Sequence, residues 1–191
     1  MRISGGSLKG RKFVSQKAFL KQNEKDELRP TSSKVREALF DILRNDIENA
    51  SFLDLYAGTG TVGFEAISRG AANVCFIENN QVRFSMIDDS INKVGLDDKA
   101  HVFREQALAF LKRASRTGIS FEIIFADPPY SSEEMDQVVA LIDENEVLKT
   151  GGCLVLEHSS RRDLQYTAGH LRFVKNYRYG DTMLTLFRKE Q

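Results

Sequence analysis

The chain contains a four-residue turn, Asp127-Pro128-Pro129-Tyr130, whose residue types could hold a planar amine. Two consecutive prolines stiffen the backbone and remove two N–H donors, so the Asp127 carboxylate and nearby carbonyl groups remain as acceptors. The exocyclic amine of a nucleobase needs such acceptors, and the ring of Tyr130 offers a face on which the base could stack. The alternative interpretation is a rigid loop with an ordinary capping aspartate.

A second candidate site is a glycine-rich segment in which Gly58, Gly60 and Gly63 follow the spacing G-x-G-x-x-G. Glycines between a strand and a helix permit a tight turn and close approach of the backbone to a ligand. The spacing alone is weak, because a purely structural turn can have it too. A predicted strand over residues 52–56 and a predicted helix over residues 62–69 flank it, and this context favours a nucleotide site.

Two acidic residues near these glycines indicate which kind of nucleotide would fit. Asp54 lies inside the predicted strand, four residues before Gly58, where a site for NAD normally has an apolar residue. An acidic group there suits a ligand with an ammonium group. Glu78 ends the next predicted strand, where a carboxylate can accept hydrogen bonds from both ribose hydroxyls. Alone, Glu78 would be typical of an exposed charge at a strand end.

The elements that must position these residues alternate regularly along the chain. Short apolar runs at residues 52–56, 74–78, 101–104, 121–126 and 153–157 are separated by segments of helical period. This pattern predicts an α/β fold with five parallel strands and helices on both faces. Two further strands from the C-terminal end complete a mostly parallel seven-stranded sheet.

The two ends of the chain depart from that alternation. Two strand-like runs, at 171–177 and 182–187, are joined by only four residues, which predicts a hairpin and an antiparallel last strand. A helical stripe follows the hydroxyl residues after Pro30, and one of these could be its N-cap. We expect residues 1–30 to form an extension, with a small hairpin and a mobile polar loop over 15–28, and residues 31–191 to form the main domain.

The amino-acid composition limits the classes of protein to which the chain can belong. The 191 residues include 41% hydrophobic and 28% charged residues, which is typical of one globular domain rather than a disordered or coiled-coil chain. The net charge is zero, but residues 1–36 carry ten basic and three acidic residues, a net charge of +7, which suggests a polyanionic partner or a solvated tail. We interpret Cys75 and Cys153 as buried small side chains. The N-terminus lacks the apolar core of a signal peptide, so we expect a cytoplasmic protein that does not enter a membrane.

Asp54, the glycine turn and Glu78 together resemble the S-adenosylmethionine (SAM) site of class I methyltransferases, which have a Rossmann-like fold. The tetrapeptide that begins at Asp127 is shared by amino-methyltransferases acting on DNA, RNA and protein glutamine, so it implies the reaction but not the substrate. The SAM-binding residues that the resemblance implies are Asp54, Tyr56, Ala57, Gly58, Thr59, Gly60, Glu78, Asn79, Gln106 and Ala107.

A wider set of motifs extends over nearly the whole chain. It comprises Arg2-Ile3-Ser4-Gly5-Gly6, Gly10-Arg11, Arg29-Pro30-Thr31, Val35-Arg36-Glu37-Ala38-Leu39-Phe40 and Tyr179-Gly180-Asp181-Thr182. With the two turns, these motifs resemble the RsmD family of bacterial 16S ribosomal RNA guanine-N2 methyltransferases. Asn80 departs from the pattern, because the family often has an acidic residue there.

This resemblance implies transfer of a methyl group from SAM to N2 of one guanine in 16S rRNA or in a small-subunit particle. The flipped-out base would be held by Asp127, Pro128, Pro129 and Tyr130. We expect the protein to act as a monomer and to need no metal. The residues expected to contact RNA are Arg2, Arg11, Arg29, Thr31 and Arg36. The alternatives are a DNA adenine-N6 or cytosine-N4 methyltransferase, an NAD-dependent oxidoreductase and a non-catalytic RNA-binding protein.

Overall fold

The computed structural model of the protein describes residues 2–11, 31–129, 132–162, 164 and 169–191. Within these residues seven strands form one sheet. They are β1 (Ser51–Asp54), β2 (Asn73–Ile77), β3 (Ala100–Phe103), β4 (Phe121–Ala126), β5 (Leu148–Ser159), β6 (Leu171–Tyr179) and β7 (Thr182–Lys189). Their order is β3-β2-β1-β4-β5-β7-β6, and β7 alone runs in the direction opposite to the other six strands. The predicted sheet and its antiparallel C-terminal hairpin are confirmed.

Five helices of the described residues connect and cover the strands. They are α1 (Ser33–Ile42), α2 (Thr61–Ser68), α3 (Gln81–Val94), α4 (Ala107–Thr117) and α5 (Ser132–Glu144). As the hydroxyl residues predicted, Ser32 is the N-cap of α1, and its Oγ accepts a hydrogen bond from the Val35 amide at 3.2 Å. None of the helices in the described part of the chain is long and apolar enough to cross a membrane.

The core lies in two layers, one on each face of the sheet, because the central strands are buried on both sides. Phe52 and Asp54 of β1 point to the face that α1 and α2 cover, whereas Leu53 points to the opposite layer. Cys75 and Cys153 are free and buried, one in each layer, as predicted. Asp54 is therefore a carboxylate at an otherwise apolar position of the core.

Strand β5 begins five residues earlier than its sequence predicts. Gly151 and Gly152 are residue types typical of a turn, but Leu148 already pairs with Phe121 of β4, and an irregularity follows before Ile123 pairs with Cys153. Gly151 has a φ of +78°, so the extra residues are accommodated by a left-handed backbone within the strand. Sheet pairing overrides the local turn signal here.

Residues 2–11 fold back on themselves as the predicted small hairpin. The Ile3 amide donates to the Arg11 carbonyl at 3.1 Å, and the Gly10 amide donates to the Ile3 carbonyl at 3.0 Å. Ile3 is 2% exposed and belongs to the same apolar layer as α1. The expected mobile loop over residues 15–28 lies outside the described residues, and the division of the chain at residue 30 stays a prediction.

Candidate active site

A cleft opens at the carboxyl ends of β1 and β4, the edge of a parallel sheet where ligands bind in open α/β folds. Both turns that the sequence singled out border it. The cleft is lined by Thr31, Asp54, Tyr56, Ala57, Gly58, Thr59, Thr61, Val62, Phe125 and Asp127. The fold thus brings Asp127 and the first part of the glycine-rich segment to one place, although 69 residues separate Asp127 from Gly58.

The glycine-rich segment forms the turn from β1 into α2. Gly58 and Gly60 have φ values of +55° and +72°, which side chains disfavour, and Gly60 is the N-cap of α2. A Cβ atom on Gly63 would lie 2.1 Å from the ring of Phe76, so only glycine lets α2 pack this closely on β2. Each glycine of the G-x-G-x-x-G spacing therefore has a physical reason in the fold.

Asp54 supplies a buried acceptor to this turn. Its side chain is 1% exposed, and its Oδ2 atom accepts a hydrogen bond from the Gly63 amide at 2.9 Å. Among the described residues, its Oδ1 atom has no hydrogen-bond partner. Burial, opposed by the Gly63 hydrogen bond and reinforced by the charge of Glu78, raises the pKa of Asp54 to about 7. A cationic group of a ligand would relieve this desolvation.

Glu78 lies beside the turn and is 6% exposed. Its two carboxylate oxygens accept hydrogen bonds from the amides of Gly58 and Asn80, both at 2.8 Å, and Arg83 Nε lies 3.2 Å from Oε1. Glu78 therefore holds the glycine turn against the end of β2. A carboxylate has about four acceptor sites, so these contacts leave room for ribose hydroxyls.

The remaining residues that were expected to bind SAM lie just after strands β1, β2 and β3. Asn79 is exposed directly after Glu78. Gln106 is exposed at the N-cap of α4, where its side chain makes no capping hydrogen bond, and Ala107 is buried. Tyr56 is half-buried, and its hydroxyl donates to Glu134 Oε1 at 2.9 Å. This contact ties the cleft to α5.

Asp127 follows β4 directly and is partly buried. Burial and the charges of Glu157 and Asp54 raise its pKa well above the ordinary value of an aspartate. Pro128 is buried and Pro129 is exposed, whereas Tyr130, the expected stacking residue, lies outside the described residues. The described part of the turn thus presents to the cleft one carboxyl group, that of Asp127, whose pKa is raised.

Sequence reasoning missed Glu157 as a site residue. It ends the central part of β5 and is 8% exposed, and its Oε2 atom accepts a hydrogen bond from Thr31 Oγ1 at 3.2 Å. Burial raises its pKa to about 7, although the Thr31 hydrogen bond opposes the shift. The available signal was an acidic residue at the carboxyl end of a predicted strand, the same signal that identified Glu78.

Among the residues expected to contact RNA, Arg36 must be reassigned, because its side chain is buried. Its side chain is 4% exposed, its Nε lies 3.4 Å from Glu65 Oε2, and it donates to the Arg2 carbonyl at 3.2 Å. A guanidinium that is buried against a carboxylate cannot reach a phosphate. Arg2 and Arg11 are exposed, whereas Arg29 lies outside the described residues.

Glu65 of α2 organises the N-terminal segment behind the cleft. It is fully buried and accepts hydrogen bonds from the amides of Ser4 and Gly5 at 2.9 and 2.8 Å, and from Arg69 at 3.0 Å. Burial alone would raise the pKa of Glu65, but the hydrogen bonds from Ser4 and Arg69 and the charge of Arg36 outweigh it and lower the pKa. The hairpin of residues 2–11 is thereby fixed to the body of the fold.

Comparisons with known proteins cover almost the entire chain. The family model described as "Conserved hypothetical protein 95" matches residues 1–188. A relative from Bacillus subtilis (strain 168), named "Putative rRNA methyltransferase YlbH", is 32% identical over 189 residues, which are 99% of each chain. The "Ribosomal RNA small subunit methyltransferase D" of Haemophilus influenzae is 31% identical over 86% of this chain and 81% of its own.

A solved structure shares the whole architecture. The structure titled "Putative methyltransferase yhhF from Escherichia coli" superimposes with a TM-score of 0.85 and 27% sequence identity. The match covers 100% of this chain and 98% of the other. The cleft described above therefore belongs to a fold that this relative shares from end to end.

Proposed function

Because this chain belongs to the family described as conserved hypothetical protein 95, which bears out its resemblance to the RsmD family, we propose that it methylates ribosomal RNA. The reaction transfers a methyl group from SAM to the exocyclic N2 amine of a guanine in 16S rRNA. The observation that carries this proposal is the meeting, in one cleft, of the glycine turn, the unsatisfied Asp54 carboxylate and the Asp127 turn.

The residues present fit SAM. The Oδ1 atom of Asp54 is a buried acceptor without a partner among the described residues, and the SAM ammonium group can satisfy it. Gly58 and Gly60 bring the backbone close to the ligand, and Glu78 has free lone pairs for the ribose hydroxyls. Asn79, Gln106 and Ala107 surround the place of the adenine. The bound group supplies a methyl attached to a positively charged sulfur, which needs no metal for activation.

The role of Asp127 follows from the electronic structure of guanine. The N2 lone pair is delocalised into the ring, so the amine is a weak nucleophile and catalysis relies on positioning and electrostatics. Asp127 and the Pro128 carbonyl accept hydrogen bonds from N2 and direct its lone pair in line with the methyl group. The flipped-out base stacks on Tyr130. The carboxylate also stabilises the positive charge that develops on N2.

The basic N-terminal segment supplies the contacts to the RNA backbone. Arg2 and Arg11 are exposed on the hairpin that Glu65 fixes to α2. Arginine side chains in such positions bind phosphates and set the register of the RNA without reading its sequence. The names of the relatives, which specify small-subunit ribosomal RNA, agree with this kind of substrate.

The experiment that tests the function compares four substrates with radiolabelled SAM: naked 16S rRNA, assembled small subunits, 23S rRNA and duplex DNA. We expect label in 16S rRNA, free or assembled, and N2-methylguanosine as the labelled nucleoside after digestion. The Asp127→Ala variant is the control for contaminating activity. Label in DNA, recovered as N6-methyladenine or N4-methylcytosine, would instead establish the DNA methyltransferase alternative.

A further inference from the structure

Glu157 lies next to Asp127 because of the register between β4 and β5. Ala126 pairs with Leu156 in the parallel ladder, so Asp127 and Glu157 are the next residues of the two strands. Adjacent strands are about 4.8 Å apart, which brings the backbones at these positions close together. Glu157 lies two residues after Val155, whose side chain belongs to the layer that α1 covers, and Thr31 just before α1 contacts Glu157 on that side.

The surroundings of this carboxyl pair are poor in compensating charge. Asp54 adds a third carboxylate from β1, Thr31 contributes a hydroxyl from the segment before α1, and Leu184 of β7 is the apolar partner of Glu157 in the ladder. Among the described residues, no lysine, arginine or histidine forms an ion pair with Asp127 or Glu157. Two neighbouring carboxyl groups in such a site cannot both ionise easily.

We propose that Glu157 is a positioning residue for methyl transfer: its carboxylate, held by Thr31, acts through Asp127 and makes Asp127 the acceptor of the proton that the target amine loses. This inference rests on the proposed function. Attack of N2 forms an N–C bond and breaks the S–C bond of SAM, whose electron pair stays on sulfur. The positively charged N2 then passes one proton to Asp127 and becomes a neutral methylated amine, and Asp127 later releases that proton to water.

The titration behaviour of the pair supports this arrangement. Burial raises the pKa of Glu157 to about 7, against the effect of Thr31, and burial with the charge of Glu157 raises that of Asp127 well above its usual value. Once Glu157 is ionised, its charge makes Asp127 a stronger base than an isolated aspartate. A stronger base takes a proton more readily from the positively charged amine.

The near-isosteric variant Glu157→Gln tests the proposal because it removes the charge and keeps the shape. The single-turnover rate of the wild-type protein should rise with pH as Asp127 loses its proton. In Glu157→Gln this rise should move to lower pH by about one unit or more, because the repulsion is lost. The plateau rate should fall by about threefold, because Asp127 is then a weaker base.

Asp89→Asn is the matched control, because it removes one carboxylate charge from an exposed position on α3, outside the cleft. Its rate profile should stay in place. A profile of Glu157→Gln that superimposes on the wild-type profile would overturn the proposal. An equal shift in Asp89→Asn would also overturn it, because the effect would then come from the net charge of the protein rather than from the neighbour of Asp127.

A second measurement needs no substrate. Carbon-13 NMR of the Asp and Glu carboxyl groups follows the titration of Asp127 in the free protein, with Asp127→Asn for assignment. The midpoint of Asp127 should fall by about one pH unit or more in Glu157→Gln. An unchanged midpoint would overturn the proposal that the charge of Glu157 acts on Asp127. A wild-type protein that methylates no RNA would instead overturn the proposed function, so the two failures can be told apart.

Discussion

Two groups of buried carboxylates in this chain have opposite surroundings. Glu65, behind the cleft, is fully buried and receives hydrogen bonds from Ser4, Gly5 and Arg69, while the charge of Arg36 lies within 3.4 Å. Asp54, in the cleft, is buried to nearly the same extent, but one of its oxygens has no partner among the described residues. Burial is similar in the two places, whereas the supply of donors and the sign of the neighbouring charges differ.

The titration of the two groups reflects this difference. The partners of Glu65 lower its pKa in spite of burial, whereas burial dominates at Asp54 and Asp127 and raises the pKa of both. A carboxylate whose acceptor sites are filled stabilises the fold. A buried carboxylate with an unfilled site makes the fold less stable and stays available to a ligand. The same residue type thus serves structure in one region and chemistry in the other.

The largest effect should follow from breaking the satisfied group. Glu65→Gln leaves the buried guanidinium of Arg36 and that of Arg69 without a counter-charge, which should lower the free energy of unfolding by roughly 3–5 kcal/mol. Urea denaturation measures this loss. The control is Glu190→Gln, which breaks the exposed pair with Arg172 and should cost about 0–1 kcal/mol. Equal stability of the two variants would refute the structural role of Glu65.

Next in size is the loss of the Asp127 carboxyl group. Asp127→Ala should lower the single-turnover methyl-transfer rate by at least about 100-fold, roughly 2.7 kcal/mol, the loss typical of one preorganised electrostatic partner. SAM affinity should change little, because Asp54 and Glu78 remain. Exposed Asp89 on α3 gives the control, since Asp89→Ala should keep the wild-type rate.

Asp127→Asn sharpens this test. It keeps the shape and one acceptor oxygen and removes the charge and the basic site. If the charge stabilises the developing cation, the Asn variant should be nearly as slow as the Ala variant. Wild-type single-turnover rates in both variants would remove Asp127 from the chemical step.

Glu78 is intermediate between the two groups, because it has three partners in the fold and free lone pairs. Glu78→Ala should weaken SAM binding by roughly 1.5–3 kcal/mol, the loss typical of a charged hydrogen-bond acceptor. Glu78→Gln retains one oxygen for the Gly58 amide and should lose less. Calorimetry at a temperature where both variants are folded checks this order. Unchanged affinity of Glu78→Ala would show that this carboxylate only holds the turn.

The sequence predicted those parts of the site in which a single strand and its following turn are sufficient. Asp54, the glycine turn and Glu78 could be identified in this way, because the strand, turn and helix that hold them are local. Arg36 could not be interpreted correctly, because its partner Glu65 is 29 residues away and only the packing of α2 against α1 makes it inward-facing. A basic residue in a basic segment gives no local sign of burial.

The pairing of Glu157 with Thr31 was invisible for the same physical reason. These residues are 126 positions apart, and their contact exists only because the fold brings Thr31, just before α1, to the carboxyl end of β5. The early start of β5 was missed because the apolar run begins only at Cys153, whereas pairing with β4 extends the strand back to Leu148. Local propensity and spacing thus predicted the order and type of the elements, whereas long-range pairing decided which charged residues face each other.

The smallest effect concerns the pH dependence of Asp54. Its pKa is raised from 3.8 to about 7, so the folded chain keeps a proton that the unfolded chain has already lost. The contribution of Asp54 to the free energy of unfolding is therefore full below pH 3.8 and is lost as the pH rises towards about 7.

The ionised form of Asp54, which binds the SAM ammonium group, increases over the upper part of the same pH range. SAM affinity should thus rise by about threefold between about pH 6.5 and pH 7.5. Calorimetry with Asp54→Asn corrects for the titration of SAM itself, and this variant should bind more weakly without the additional rise. A wild-type affinity that follows the pH dependence of Asp54→Asn would show that Asp54 is as fully satisfied as Glu65, and the contrast between the two regions would then fail at its central residue.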